Sequence, residues 1–220
     1  MPALRYARPV ELTVAREAGL ARALRLEYLT VGWNVVEGLV AVAAALAAGS
    51  VALLGFGIDS FVETASGLVL VWRLRAERRH GRHHAERLDR LALRLVGLSL
   101  FALAAWVAFD AGRALLEREA PAASPVGIGL TTLSIAAMLW LARAKRRAAV
   151  ALGSRALAAD AFQTTACFWL SVITLAGLAA NALLGWWWAD PAAALGLTPL
   201  LVREGREAWR GESCSCNGTC

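Results

Sequence analysis

The sequence predicts an all-α, polytopic membrane protein with six transmembrane helices. Three observations carry that prediction. Of 220 residues, 58% are hydrophobic and only 18% are charged, against roughly 45–50% apolar in soluble domains, and the mean hydropathy is +0.53. The apolar residues gather into six segments. Most approach the roughly 20 residues that a helix rising ~1.5 Å per residue needs to cross a bilayer core about 30 Å thick. The basic residues, 21 of 23, fall into the four stretches that six crossings would place on one side. Together these features exclude a disordered chain, a collagen-like chain and an ordinary soluble enzyme.

The first apolar segment runs from Tyr28 to Ala48, and a Gly49-Ser50 break separates it from the second, Val51 to Trp72. The third runs from Leu91 to Leu115, and the fourth, shorter, from Val126 to Leu141. The fifth is long, Ala156 to Leu184; the sixth begins at Asp190-Pro191 and fades near Val202. Asp190 as N-cap and Pro191 as first helical residue suit a helix start. The fourth and sixth are short for free spans and call for packed neighbours. A signal peptide is disfavoured, because the first apolar stretch exceeds a 7–15-residue h-region and another span follows at once.

Charge sets the orientation. Five Arg lie in residues 1–25, eight between Arg73 and Arg94, five basic residues between Arg143 and Arg155, and three Arg after the sixth segment. Positive charge is retained in the cytoplasm, so both termini are expected there, in an inner (plasma) membrane protein. This asymmetry accounts for a pI near 9.9 without nucleic acid, and makes anionic lipid headgroups the expected partners of those loops. The expected division is a cytoplasmic segment over 1–25, a transmembrane domain over 26–204 and a short Cys-containing cytoplasmic tail over 205–220. The single Lys, Lys145, is assigned no role.

Ionisable residues inside spans are costly and usually functional. Asp59 and Glu63 are four apart, hence on one helix face near the middle of the second segment. Two such carboxylates in low dielectric repel unless a cation, shared protons or a basic partner relieves them. With no Lys or Arg inside any predicted span, metal or proton binding is the expected relief. In the fifth segment Asp160, Gln163 and Cys167 fall on one face. DSFVETAS (59–66) and DAFQTTAC (160–167) share four of eight positions. The two segments run in opposite directions, so the pattern reads as a repeat of inverted topology, common in transporters with a midplane site.

The stretches SVALLGFGIDSFVETASGLVL, ALAADAFQTTACFWLSVITLAG and WWWADPAAALGL resemble the second span, the fifth span and the loop into the sixth of the cation diffusion facilitators, the divalent-metal/proton antiporters. The resemblance covers about residues 25 to 205. It implies a six-helix fold, a dimer, and a tetrahedral metal site near the midplane made by two residues from each of spans two and five. Asp59 and Glu63 match the first pair by position. Gln163 and Cys167 stand where the family usually has His and Asp, and Asp160 is an alternative ligand. Cys thiolate is a soft ligand and Gln carbonyl a weak, hard one; Zn²⁺ accepts such a set and Cd²⁺ suits the thiol. The chain resembles the shorter members that lack the family's folded cytoplasmic domain, so a homodimer is expected to rest on the membrane helices.

The remaining signals are smaller. Cys214, Cys216 and Cys220 in the tail are placed for a soft-metal clasp rather than disulfides. His80, His83 and His84 lie between spans two and three, with His80 and His84 spaced for one helix face. The dense Arg around them favours a solvated basic loop over an accessory metal site. Asn34 and Glu37 line a metal or proton path or bond across helices. Asp110 is expected at the outer interface, and Trp186 to Trp188 in an aromatic belt. The leading functional reading is proton-coupled efflux of a divalent transition metal, Zn²⁺ first and Cd²⁺ next, with no bound cofactor beyond metal and protons. A membrane metal-binding or sensing protein that does not transport is the alternative. An enzyme is not expected, because Cys167 has no His partner in any span, and no phosphate-cradling Gly motif suggests ATP-driven pumping.

Overall fold

The computed structural model describes residues 9–48, 51–118 and 125–211. Six helices follow one another: α1 Pro9–Ala48, α2 Val51–His80, α3 Arg82–Glu117, α4 Pro125–Leu152, α5 Arg155–Leu184 and α6 Ala189–Arg210. No strand occurs among the described residues. Five of the helices, α1 to α5, are long and apolar enough to cross a membrane. The sixth carries Arg203, Glu204, Arg206, Glu207 and Arg210 in its second half and completes the bundle by packing along α3.

Each connection has a local cause. Gly81, at φ 80°, breaks the chain between α2 and α3. His80 and His84 therefore fall on different helices, not on one face as the spacing suggested. His80 is exposed at the end of α2, while the side chains of His83 and His84 lie outside the described residues. Gly153 at φ 61° turns the chain, and the Ser154 hydroxyl then caps α5 by accepting from the Leu157 amide at 3.3 Å. Gly185 ends α5 in the left-handed conformation that glycine adopts without steric cost. Helix α6 begins one residue before the expected cap. Trp188 occupies the N-cap position and Asp190 and Pro191 fall in the first turn.

Helix α1 packs along α2, α3 along α6 and α4 along α5, with α2 also meeting α3 and α5. Small residues permit this: a Cβ on Gly57 of α2 would stand 3.2 Å from the Gly38 carbonyl oxygen of α1, and one on Gly97 of α3 only 3.0 Å from that of Gly205 in α6. Such close approach is typical of membrane helices.

The distribution of polarity supports a membrane setting. Leu29, Leu39, Leu68, Leu98, Leu133 and Trp169 point outward, whereas Thr30, Asn34, Glu37, Ser60, Glu63, Ser66, Ser134, Gln163 and Thr164 are buried inside. A bilayer reverses the usual cost of exposing Leu, and ionisable side chains there turn to the bundle interior. Two apolar clusters flank this polar interior. One contains Leu24, Leu70, Leu93, Leu141 and Leu157 towards the Arg-rich end. The other contains Leu100, Leu103, Val107 and Leu201.

The Arg-rich end is also more internally paired than a lipid-facing loop would be. Arg73 is buried between Glu77 at 2.7 Å and Asp89 at 2.7 Å, and Arg16 of α1 reaches Glu77 at 2.5 Å. These contacts tie α1, α2 and α3 together. Cys214, Cys216 and Cys220 lie outside the described residues.

Candidate functional site

Helices α2 and α5 run antiparallel, and their facing residues pair in a fixed register. The Cys167 thiol lies 3.8 Å from Asp59 Oδ1 and also interacts with Glu63. One turn further, Glu63 lies beside Thr164. One more turn brings the Ser66 hydroxyl to within 2.6 Å of Asp160 Oδ1, to which it donates. The i, i+4 spacing that set Asp59 and Glu63 on one face therefore aims both at α5, and the face of Asp160, Gln163 and Cys167 turns to meet them.

Gln163 sits beside this seam, fully buried. Its Oε1 accepts from the Ser99 hydroxyl of α3 at 2.8 Å, and its Nε2 has no partner. Glu63 Oε1, also buried, has none either. Asp59, Glu63, Gln163 and Cys167 thus offer two carboxylates, an amide and a thiol around one short length of the α2–α5 interface. Among the described residues, no three His, Cys, Asp or Glu side chains have the spacing of a formed metal site. Asp59 and Cys167 at 3.8 Å are apart by more than a strong hydrogen bond.

Glu37 of α1 is buried and accepts from the Ser60 hydroxyl of α2 at 3.2 Å. Asn34, one turn away on α1, is fully buried, and neither its Oδ1 nor its Nδ2 has a partner. The pair extends the polar interior from the seam along α1. Asp110 is half-buried on α3. A Cβ on Gly55 would stand 3.6 Å from its Oδ2.

The expectation that no basic residue enters the bundle is overturned. Helix α4 continues to Leu152, eleven residues beyond the end of its apolar run at Leu141. On that continuation Lys145 is fully buried. Its Nζ lies 2.5 Å from Asp160 Oδ2, 3.0 Å from Glu27 Oε2 of α1 and 3.4 Å from the Thr164 hydroxyl. Asp160 is therefore held by Lys145 and Ser66 at one end of the seam, while Asp59 and Cys167 face each other at the other.

Sequence reasoning passed over Lys145, Glu27, Ser66 and Thr164. The apolar run appears to stop at Leu141 because Arg143, Lys145, Arg146 and Arg147 follow. Yet Met138, Leu141, Lys145, Ala148, Ala149 and Leu152 are all buried, at the 3-and-4 spacing of a single helix face. Lys145 interrupts that stripe, and it is the one Lys among 23 basic residues. Those two signals together mark it.

The fold and the site define a multi-pass membrane protein with an acidic, bundle-internal seam between two antiparallel helices. The model of the cation efflux transmembrane domain matches residues 28–210, and the chain belongs to that cation efflux family. It is also 30% identical over 154 residues to an uncharacterized transporter, sll1263, of Synechocystis sp.. That similarity covers 68% of this chain, which spans 49% of the relative's length.

Proposed function

We propose that this protein is a transporter, not an enzyme, and exports a divalent transition metal cation, Zn²⁺ in the first place and Cd²⁺ next, in exchange for protons. The single observation that supports this reading is the meeting of Asp59 and Cys167 across the α2–α5 seam, with Glu63 beside them and Gln163 buried one turn along α5. A buried carboxylate, a half-buried one and a buried thiol make a site for a cation with some soft character. The cation enters from the Arg-rich side, taken as cytoplasmic, and meets ligands that give up protons to bind it. Because protons and metal compete for the same oxygen and sulfur atoms, affinity falls as pH falls. Helix rearrangement then opens the seam to the other side, where protons return and the metal leaves. Asn34 and Glu37 line the path beside the seam. Assembly would be a homodimer through membrane helices, in an inner membrane.

The test is metal flux into proteoliposomes under a pH gradient, with Zn²⁺, Cd²⁺, Co²⁺ and Mn²⁺ compared. Gradient-driven Zn²⁺ or Cd²⁺ movement that Asp59→Asn abolishes is expected. Zn²⁺ affinity that stayed constant from about pH 5.5 to 8 would overturn the proton coupling. Metal that binds yet never crosses the vesicle wall would leave a membrane metal-binding protein instead.

A further inference from the structure

The eight-residue repeat and the helix register together reveal a local two-fold relation. Aligning 59–66 with 160–167 makes Asp59 equivalent to Asp160, Ser66 to Cys167 and Glu63 to Thr164. The structure pairs Cys167 with Asp59 and Ser66 with Asp160, two contacts that exchange under this alignment. Glu63 and Thr164 pair with each other, on the axis. The seam therefore has two equivalent acidic positions, one on either side of the Glu63–Thr164 pair. At the Asp59 end the chain supplies no cation. At the Asp160 end it supplies the Lys145 ammonium.

We infer that the Asp160 end is a second cation position on the path: Glu27 and Asp160 carboxylates with the Ser66 and Thr164 hydroxyls hold Lys145 in the conformation described, and take a hard divalent cation when Lys145 withdraws. The inference rests on the proposed reading of the seam as the metal route.

Four features support it. The donors are all oxygen, the set that hard divalent cations prefer. All four residues are buried. Glu27 Oε2 and Asp160 Oδ2 lie 3.0 Å and 2.5 Å from Nζ, so they already converge on one positive charge. Glu27 Oε1 receives no hydrogen bond, which leaves a buried carboxylate oxygen open beside that charge. The residue type matters as well. An ammonium is a compact point charge on a flexible four-carbon stem, able to withdraw, whereas a guanidinium is a rigid fork of five donors. A chain that otherwise uses Arg throughout has Lys at this one place.

The position also lies towards the Arg-rich end, between that surface and Glu63. A cation arriving from that end meets Glu27 and Asp160 before Asp59 and Cys167. Lys145 thus closes the route electrostatically while it is seated, and the incoming cation takes over its carboxylates when it leaves.

The experiment counts Mn²⁺ bound per chain in the purified full-length protein, from the loss of the free-ion paramagnetic resonance signal. At sub-saturating Mn²⁺, where the ammonium still competes for the same carboxylates, Lys145→Met is expected to bind one more Mn²⁺ than the parent, and Lys145→Met with Asp160→Asn to lose that gain. A Lys145→Met protein with parental helix content and no additional Mn²⁺ overturns the inference. If Lys145→Met does not fold, the parent protein answers through its single Lys. Reductive methylation at Lys145, read by mass spectrometry against the N-terminal amine, is expected to speed up about tenfold in saturating Mn²⁺ as the amine leaves its buried ion pairs. An unchanged rate overturns the inference. Failure of the underlying reading is seen separately, as Zn²⁺ binding that survives Asp59→Asn.

Discussion

Asp59 and Asp160 hold the same place in the two copies of the repeat, on facing helices, yet their surroundings differ. Asp160 is met by an ammonium and a hydroxyl; Asp59 is met by a thiol, with Glu63 one turn away. At one end the protein provides the compensating charge from its own chain, so the acidic group needs no added ion while Lys145 is seated. At the other it leaves compensation to something that can come and go. A buried carboxylate without a partner is costly, and such a cost is tolerated where a proton or a cargo ion is to be bound. The contrast therefore separates a position with a resident counter-charge, the Lys145 ammonium, from one with none along one helix interface.

The largest expected effect comes from removing the resident charge. Lys145→Met leaves Glu27 and Asp160 buried and facing each other, and loss of one partner from a buried ion pair typically costs about 3–5 kcal/mol. Unfolding of the purified protein in detergent would register this loss. Restoring neutrality with Glu27→Gln and Asp160→Asn in the same chain should recover most of it. The deficit should also shrink as pH falls, because the two orphaned carboxylates then take up protons and cease to be buried charges. A Lys145→Met protein as stable as the parent at neutral pH would break the comparison, since Asp160 would then need no more help than Asp59.

The exchangeable end should behave in the opposite way. Asp59→Asn removes a negative charge that has no resident cation, so stability should change little or rise. Metal affinity should fall by more than the roughly 10–100-fold seen for outer-shell substitutions, measured by titration with Zn²⁺. Cys167→Ser should act on selectivity rather than on occupancy. Exchanging sulfur for oxygen disfavours soft ions, and a roughly tenfold loss of Cd²⁺ relative to Mn²⁺ is expected, worth about 1.4 kcal/mol. Competition between the two ions would report it directly.

How much of this was legible in the sequence follows from the same contrast. Asp59, Glu63, Gln163 and Cys167 stood out as candidates because they interrupt apolar runs at helical spacing. The helix count could be found because six apolar segments alternate with Arg-rich stretches. Lys145 was hidden because hydropathy defines a span by its lipid-facing residues, and α4 stops looking apolar where Arg143, Arg146 and Arg147 turn outward. Its inward face continues unchanged to Leu152. Glu27 was hidden for the same reason: α1 starts at Pro9, well before the apolar run at Tyr28, and Glu27 faces inward just ahead of it. Ser66 and Thr164 carry no signal of their own. Their roles come from the register of α2 against α5, which only packing sets. The break at Gly81 separates His80 from His84, an outcome that spacing alone does not reveal when a single glycine intervenes.

The smallest expected effect tests whether burial, rather than the mere presence of an ion pair, sets these magnitudes. Arg16 meets Glu77 at 2.5 Å, a distance no longer than that from Lys145 to Asp160. Its side chain, however, is 30% exposed, whereas Lys145 is fully enclosed. Glu77 also keeps a second partner, Arg73, at 2.7 Å when Arg16 is removed. Water reaches the Arg16 side of the pair, and the remaining guanidinium compensates the buried Glu77 carboxylate. Arg16→Ala should therefore cost only about 0.2–1 kcal/mol, the range of exposed ion pairs, and should lose even that in high salt. Lys145→Met should keep its full deficit in the same salt. If the two substitutions proved equally costly, or equally sensitive to salt, the Lys145 cluster would be water-accessible and the division between a resident counter-charge and an absent one along the seam would fail.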